Sequence, residues 1–289
     1  MPNKDQLHRF IIENTHVRGE MVHLDATWQA ILERSDYPEN IRKVFGEALA
    51  ACALLSATIK FDGELILQIR GDGPLHLLVV QASSSGNLRG IARWKNHVPN
   101  ENLQAIFGKA QMVMTIEPNK GEPYQGIIAL QGETIKDAIE AYFQQSEQLA
   151  TRLWLASDDK SCTGFLLQEL PSDKTEADDD NWNRTTHLAA TLTQNELLEL
   201  PVNDILHRLF HQDDVRLFDS TPLCFRCHCS RERIANMLIG LGQNEVENII
   251  DEQKIIEVDC EFCNAHYRFD SVDAKALFNH SNEGNETQH

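Results

Sequence analysis

Two short cysteine-rich runs near the C-terminus constrain this chain more than any other feature. They hold five of its seven cysteines, at Cys224, Cys227, Cys229, Cys260 and Cys263. Thiolates are soft ligands, and four of them in a tetrahedral arrangement suit Zn²⁺ best. Each run is short enough to bring two sulfurs to one ion, and paired runs of this kind indicate a metal site. The sequence therefore predicts one Zn²⁺ per chain, held by four thiolates in a small C-terminal domain.

Spacing alone leaves the identity of the four ligands open. It favours Cys224 with Cys227, because C-x-x-C is the commoner half-site. The alternative is the tighter pair of Cys227 and Cys229, which leaves Cys224 without a role. His228 and His266 are also able to ligate, although a set of four thiolates needs neither of them.

The charge and length of the chain restrict its partners and its location. The 289 residues carry a formal net charge of −18, and the isoelectric point is near 5.0. That balance argues against nucleic acid or an anionic membrane as a partner over a broad surface. Residues 1–10 lack the apolar segment of a secretory signal, and the longest apolar stretch, residues 48–59, is too short to span a bilayer. We therefore expect a cytoplasmic protein, in which thiols stay reduced and clustered cysteines indicate metal or redox chemistry.

Residues 1–174 are predicted to form an α+β core domain that is rich in strands and carries packed helices. The opening residues predict a strand or short helix that runs to a turn at Gly19. Residues 24–34 and 38–60 have helical spacing, and Cys52 falls on the apolar stripe of the second helix as a small buried side chain. From residue 63 the pattern changes to strands and tight turns, with strands expected at residues 65–70, 75–81, 88–94, 112–116 and 124–130.

The rest of the core domain returns to a helix and a strand pair. Thr134 is expected to cap a helix that extends to residue 148. Two strands, at residues 152–156 and 163–170, are expected to follow. Cys162 lies at the edge of the turn between them and has no partner in sequence.

The composition changes after Pro171 and indicates a linker at residues 175–223. Residues 172–183 are polar and acidic and cannot bury a core, so a solvated boundary is expected there. Short amphipathic helices are predicted at residues 187–192, 196–200 and 202–210. Such helices are marginal by themselves, so the linker is expected to be metastable. His207 and His211 have a spacing that a metal could use, but no motif with a carboxylate accompanies them.

Residues 224–289 are predicted to form the zinc-binding domain. Ser230 is expected to cap its first helix, and a second helix is expected at residues 245–252. Strands at residues 254–258 and 265–269 should flank the second cysteine run, followed by a helix from residue 271 to about 278 and a disordered tail at residues 280–289. The basic side chains near the first run are expected to favour thiolate at Cys227 and Cys229; they are Arg226, Arg231 and Arg233.

The cysteine region resembles the redox-switch domain of the bacterial 33 kDa chaperonin family. The resemblance is carried by Phe225-Arg226-Cys227-His228-Cys229-Ser230-Arg231-Glu232-Arg233 and by Val258-Asp259-Cys260-Glu261-Phe262-Cys263-Asn264-Ala265-His266-Tyr267-Arg268-Phe269. Shorter strings resemble the same family; they are Val17-Arg18-Gly19-Glu20, Phe61-Asp62-Gly63, Gly71-Asp72-Gly73-Pro74 and Glu147-Gln148-Leu149. The family pattern is C-x-C followed by C-x-x-C, which implies the ligands Cys227, Cys229, Cys260 and Cys263. Cys224 lies outside that pattern and is a departure from it.

The resemblance implies a redox-regulated holdase that is not an enzyme and does not use ATP. It would bind unfolding client proteins under oxidative and heat stress and pass them to ATP-dependent foldases. Oxidation would form the disulfides Cys227–Cys229 and Cys260–Cys263, release Zn²⁺ and unfold the C-terminal region together with the linker. The family also implies a homodimer of the oxidised form.

Two other classes of function compete with this interpretation. The first is a thiol-disulfide oxidoreductase that uses Cys260 and Cys263, but no βαβ pattern surrounds that motif and a second cysteine pair completes a metal set. The second is a zinc module that binds nucleic acid. Residues 224–289 contain six basic and twelve acidic residues, which is the wrong balance for that partner.

Overall fold

The computed structural model describes residues 5–59, 62–95, 97–130, 132–171 and 176–279. The chain divides into two compact units, one ending at Arg226 and the other beginning at Cys227. The tail predicted at residues 280–289 lies outside the described residues, as does the start of the predicted boundary at residues 172–175. No helix within the described ranges is long and apolar enough to cross a membrane.

Within those ranges the first unit contains two six-stranded sheets. Its strands are, in chain order, β1 (Gln6–Ile12), β2 (Val17–Leu24), β3 (Gly63–Gly71), β4 (Leu75–Ser83), β5 (Asn87–Trp94), β6 (Ala110–Pro118), β7 (Tyr124–Ala129), β8 (Thr151–Ser157), β9 (Cys162–Glu169), β10 (Val215–Leu217), β11 (Thr221–Pro222) and β12 (Cys224–Phe225). The first sheet has the order β10-β1-β2-β9-β8, with β11 also paired to β1. The second sheet has the order β12-β5-β4-β3-β6-β7.

A long buried helix packs between the two sheets. The helices of the first unit are α1 (Ala26–Leu32), α2 (Glu39–Thr58), α3 (Leu103–Phe107), α4 (Ile135–Tyr142), α5 (Glu176–Ala189), α6 (Gln194–Glu199) and α7 (Val202–Phe210). Helix α2 contacts β9 of the first sheet and β4 of the second. Glycines allow this close approach, because a Cβ at Gly90 would lie 2.6 Å from the Phe45 ring and one at Gly164 would lie 2.6 Å from a Leu54 methyl carbon.

Most of the predicted elements of the core domain are confirmed. Strand β3 alternates as a half-buried strand should, with Leu65, Leu67 and Ile69 facing the core. Cys52 is fully buried on α2, as expected for a small apolar side chain. Thr134 caps α4 in a reciprocal arrangement with Asp137, and the helix continues as a π-helical turn over Phe143–Glu147. The α+β class predicted from the sequence is therefore confirmed.

The turn predicted at Gly19 is wrong. The chain reverses at residues 13–16, and Gly19 lies inside β2, directly opposite Phe10 of β1. A Cβ at Gly19 would lie 2.0 Å from the Phe10 ring. The glycine therefore makes room for an aromatic ring within the sheet instead of forming a turn.

Helices α5, α6 and α7 cover the outer face of the first sheet, the face that points away from α2. The buried sheet residues of this outer face are Phe10, Ile12, Val17, Met21, Ala156, Phe165 and Leu167. The helices pack on them with Ala189, Leu192, Leu197, Val202, Ile205, Leu206, Leu209 and Phe210. Arg184 on α5 donates two hydrogen bonds to Asp213, at 3.0 and 2.6 Å, and so ties the beginning of the segment to its end.

The solvated boundary predicted for residues 172–183 is wrong from Glu176 onward, where α5 begins. Trp182 packs against the apolar side chains of the outer face, and Thr185 and Ala189 are fully buried. These three positions recur at intervals of three and four, which gives the polar helix one face to bury. The many acidic residues of this segment made its apolar face difficult to recognise from the sequence.

The second unit is small and has one compact core. Its elements are α8 (Arg231–Leu241), α9 (Gln243–Gln253), β13 (Ile256–Asp259), β14 (His266–Phe269) and α10 (Ser271–Asn279). The buried core residues are Leu238, Val246, Ile250, Ile256, Phe269 and Ala274. The two helices, the strand pair and the final helix predicted from the sequence are all present.

Candidate metal centre

Two tight segments of the second unit carry the cysteines. Cys227 and Cys229 lie in the extended chain just before α8, which Ser230 caps by accepting a hydrogen bond from the Arg233 amide. Cys260 and Cys263 lie in the turn between β13 and β14, which is closed by a hydrogen bond from the Asn264 amide to the Cys260 carbonyl at 2.8 Å. Asn264 has a φ of 59°, a left-handed conformation that asparagine tolerates. Both segments are thereby held in shape by the backbone around them.

The structure brings the sulfurs of Cys227, Cys229, Cys260 and Cys263 within 4.8 Å of one another. The Sγ atoms of Cys227 and Cys260 are 3.6 Å apart, and those of Cys229 and Cys263 are 3.3 Å apart. A tetrahedral Zn²⁺ with Zn–S bonds of about 2.3 Å would place its sulfurs about 3.8 Å apart. The four sulfurs therefore fit a tetrahedral thiolate site. Among the described residues this is the only such group of potential metal ligands.

The other candidate ligands lie outside this cluster. Cys224 is exposed on β12 in the first unit, where its thiol contacts the Asn87 side-chain oxygen at 3.4 Å. His266 has its Nδ1 atom 2.7 Å from an oxygen of Asp259. Neither residue belongs to the group of converging ligand atoms, nor does His228.

His207 and His211 lie on and just after α7 in the first unit, with ring centroids 6.0 Å apart. They do not belong to any cluster of potential ligands in the described part of the chain.

The ionisation of the four thiols is uneven. Burial raises the pKa of Cys229, but hydrogen bonds from Tyr267 and the neighbouring thiols outweigh this effect and lower that pKa to about 7. Burial, followed by the other thiols of the cluster, raises the pKa of Cys263 to about 12, and burial also raises the pKa of Cys260. Four adjacent sulfurs thus do not all ionise unless a cation offsets their charge. This donor set fits a soft divalent cation.

The electrostatic role predicted for the arginines is wrong for Arg231. Its guanidinium donates to the Arg268 carbonyl and to Asp273, both at 2.7 Å, and it stacks on the Phe269 ring. It therefore fastens α8 to β14 and α10. The contact to the thiols comes instead from Tyr267, whose hydroxyl lies 3.1 Å from the Cys229 sulfur.

Sequence reasoning missed the role of Tyr267. A signal for it was present, because Tyr267 lies two positions before the buried Phe269 on the same face of β14. That alternation turns Tyr267 towards the interior of the unit. The hydroxyl group of an inward-facing tyrosine close to a cysteine run was therefore a candidate hydrogen-bond donor to sulfur.

Comparisons with known proteins agree with the fold and the cysteine pattern. The family described as Hsp33 protein matches residues 5–270 of this chain. The 33 kDa chaperonin of Nitrosococcus oceani is 50% identical over 278 residues, which cover 96% of each chain. The 33 kDa chaperonin of Methylobacillus flagellatus is 45% identical over 280 residues, again 96% of each chain.

A solved structure gives the same result for the fold. The crystal structure of the 33 kDa chaperonin (Hsp33) from Thermotoga maritima has a TM-score of 0.83 to this chain, with 22% sequence identity. The superposition covers 96% of this chain and 99% of the other. Since the family match extends from β1 to the end of β14, it includes both sheets and both cysteine runs. The chain belongs to the Hsp33 protein family.

Proposed function

We propose that this protein is a redox-regulated molecular chaperone, an ATP-independent holdase that oxidation activates. Its relatives are named chaperonins, which supports a chaperone. The proposed ligands of one Zn²⁺ in the reduced chain are Cys227, Cys229, Cys260 and Cys263. The observation that carries the proposal is the convergence of these four thiols in a unit with a very small apolar core.

The second unit depends on the link between its two cysteine runs. Within the described residues only six buried apolar side chains form the centre of the core around α8, α9 and the β13–β14 pair, with partly buried ones packed against them. A domain of this size rarely gains more than about 3–5 kcal/mol from its core. Metal binding in comparable small domains is worth about 10–16 kcal/mol. Loss of the four ligands should therefore unfold the second unit.

The proposed oxidation balances within each cysteine run. When bound, Zn²⁺ supplies the positive charge that keeps all four sulfurs deprotonated and cross-links the two runs. A thiolate of one run attacks a peroxide oxygen and becomes a sulfenic acid, and the second thiolate attacks that sulfur to form the disulfide. Each pair gives up two electrons, and the peroxide takes them with two protons and leaves as two water molecules. The products are Cys227–Cys229 and Cys260–Cys263, whose sulfurs are no longer thiolate ligands.

The linker is proposed to transmit this change to the core domain. We take it as residues 175–223, between a core domain of residues 1–174 and a zinc-binding domain of residues 224–289. Its helices contribute apolar side chains to the outer face of the first sheet and little to any other core. Short helices are marginal without their packing partners. On oxidation the linker is expected to leave the outer face and to present apolar surface to unfolding clients.

The remaining parts of the proposal concern partners and location. The held clients would pass to ATP-dependent foldases, and two oxidised chains would form a homodimer. A cytoplasmic location is supported by the need to keep four clustered thiols reduced. The function is proposed to be binding and not catalysis of a reaction.

The thiol-disulfide oxidoreductase alternative is not favoured by the site. Such enzymes use a C-x-x-C motif whose thiolate is stabilised, commonly at a helix N-terminus. Here Cys260 and Cys263 lie in a turn between two strands, and the pKa of each is raised. Without a bound cation neither thiol is therefore prepared to act as the attacking group of such an enzyme, whereas bound Zn²⁺ would hold both as thiolates.

The test compares reduced and peroxide-treated protein in two assays. Metal analysis of anaerobically purified protein should find about one equivalent of Zn²⁺ per chain, which a chromogenic chelator should capture after oxidation. Light scattering of a heat-denatured client should be suppressed by the oxidised protein and not by the reduced protein. A metal-free protein that still folds and switches would contradict the zinc mechanism. Equal suppression by both forms would contradict redox control.

A further inference from the structure

An open cavity lies in the first unit, between the inner face of the first sheet and the C-terminal turn of α2. Its volume is about 480 Å³, and the polar side chains that line it include Arg9, Arg18 and Glu20. An adjoining cavity of about 450 Å³ shares both arginines and adds residues of the β4–β5 turn, among them Ser83 and Ser84. Because the two cavities share Arg9 and Arg18 in their lining, we treat them as one recess.

Strand pairing explains why these side chains meet. Arg9 on β1 lies directly opposite Glu20 on β2. Arg18 lies two positions before Glu20, so it points to the same face of the sheet. That face is the one that packs on α2, where Ala57 near the helix end is too small to fill the space.

Neither guanidinium forms a close ion pair with a carboxylate among the described residues, although both act through space on the charge of Glu20. Arg9 donates only to the Thr221 hydroxyl, at 3.4 Å. Arg18 donates to the Gln168 side-chain oxygen and to the Thr58 carbonyl, which are both neutral. Other arginines of this acidic protein do find carboxylates; they include Arg152, Arg184, Arg208, Arg216 and Arg231. Two guanidiniums that face a cavity without such a partner can donate to an anion.

Glu20 adds a second polar group that lacks a partner. It is only 2% exposed, and its Oε2 atom is buried without a hydrogen-bond partner in the described structure. Burial raises the pKa of Glu20 to about 8, against the opposing effect of Arg18 and Arg9. The carboxyl group therefore carries less negative charge at neutral pH than an exposed glutamate does. Asp219 also lines the cavity and is exposed to solvent.

We propose that this recess binds a small oxyanion, namely the phosphate or carboxylate group of a small molecule. Arg9 and Arg18 donate to the oxygens of the anion, and the buried Glu20 carboxyl group lies beside them in the lining. The site lies on the inner side of the first sheet, opposite the outer face that the linker covers. Phe218, Asp219 and Thr221 of the linker also line the recess, so the site belongs to the reduced protein, in which the linker is folded.

The test is calorimetric titration of the reduced, full-length protein with sodium phosphate and, separately, sodium citrate, at constant ionic strength. We expect saturable binding of at least one of them, and the anion that binds identifies the class of the ligand. Arg9→Gln should weaken that binding about tenfold or more, since a charge-assisted contact is lost. The matched control is Arg152→Gln on β8 of the same sheet, an equal change of charge at an arginine paired with Glu140. It should leave the dissociation constant within about twofold of the wild-type value.

Labelling of arginines with phenylglyoxal locates the bound anion. Peptide mass spectrometry should show that the anion slows labelling of Arg9 and Arg18 and leaves Arg152 unaffected. The proposal is overturned if neither anion binds saturably, if Arg152→Gln weakens binding as much as Arg9→Gln, or if protection appears only at other arginines. None of these results depends on client binding or on zinc, so they are separate from the proposed chaperone function.

Discussion

The hydroxyl of Tyr267 donates a hydrogen bond to the sulfur of Cys229 across 3.1 Å. The same contact is the largest cause that raises the pKa of Tyr267, to about 12, so the tyrosine remains a donor at neutral pH. A hydrogen bond of this kind orients a metal ligand and reduces the nucleophilicity of its sulfur. Tyr267 is thus placed to moderate the reactivity of one thiol of the proposed switch.

Tyr267→Phe should therefore weaken zinc binding and speed oxidation. Loss of a partner of a metal ligand typically costs about 10–100-fold in metal affinity. Competition with a chromogenic chelator measures the affinity, and the rate of zinc capture after peroxide measures the reactivity. Tyr124→Phe, which also removes a hydrogen-bonded tyrosine hydroxyl but in the first unit, is the control. If wild type, Tyr267→Phe and Tyr124→Phe have the same zinc affinity and the same rate of zinc capture, the Tyr267 contact has no influence on the site.

Cys224→Ser should retain both zinc and the redox response. The Cys224 thiol is exposed on β12 and contacts the Asn87 side chain, a contact that a serine hydroxyl can replace. Cys229→Ser should lose both properties, because it removes one of the four converging sulfurs. Zinc content and client aggregation, before and after peroxide, distinguish the two variants. The reverse result would assign the site to two C-x-x-C pairs and leave Cys229 without a role.

Oxidation should expose the amides of α7 to hydrogen exchange. The segment Val202–Phe210 is predicted to lose protection when the linker leaves the outer face, whereas residues 65–130 should remain protected as the stable core. Far-UV circular dichroism should report a loss of helix, and a dye that binds apolar surface should become brighter. If oxidised protein prevents aggregation while α7 remains as protected as in the reduced form, unfolding of the linker is not the activating step.

Phe210→Ala should partly activate the reduced protein. Phe210 is 1% exposed and packs its ring 6.4 Å from that of Phe10 on the outer face. Loss of a buried phenylalanine costs about 3–5 kcal/mol, which a marginal segment cannot absorb. Phe218→Ala, at a phenylalanine that is 43% exposed, is the control. Aggregation assays under reducing conditions measure the effect, and a Phe210→Ala protein as inactive as the control would argue against linker release.

Glu20→Gln should flatten the dependence of stability on pH. Burial places the pKa of Glu20 at about 8, compared with an ordinary value of 4.5. As the pH rises between these values, the unfolded chain releases the proton and the folded chain keeps it, so the free energy of unfolding falls. Glutamine has no such proton, and the variant should gain up to a few kcal/mol over wild type across this window, at about 1.4 kcal/mol per pKa unit.

Denaturant titrations at several pH values measure this difference. Glu101→Gln, at an exposed position in a loop, provides the control for loss of one acidic group. Parallel stability curves for wild type and Glu20→Gln would contradict a raised pKa at Glu20.

Local sequence signals predicted the individual elements well, because they report on burial and capping within a few residues. The alternation of Leu65, Leu67 and Ile69 is such a signal, and the cap at Thr134 is another. The order of the strands was not predictable in the same way. Strand β2 pairs with β9, which is far along the chain, and the residue pattern of either strand does not identify the strand with which it pairs.

The errors at single residues have the same origin. Gly19 was assigned to a turn because local sequence does not show why a glycine is needed there. The need comes from the Phe10 ring on the neighbouring strand, which leaves no room for a Cβ. Arg231 looked like a partner for thiolate because it is close in sequence, yet it reaches Asp273 on the last helix. At the cysteines, spacing reduced the candidate metal ligands to two possible sets of four thiols. In the structure the sulfurs that converge are those of the set without Cys224.

The enclosure of α2 between two sheets has a consequence for recovery after stress. Formation of this core requires pairing of β2 with β9 across most of the first unit, and pairings of that kind are slow to form. If the core stays folded during oxidation, the chain does not have to form this strand pairing again when it is reduced. The outer face of the first sheet then serves as a ready template, and the helices need only fold again on it. Under the proposed mechanism, recovery is then a local event, confined to the linker and the second unit.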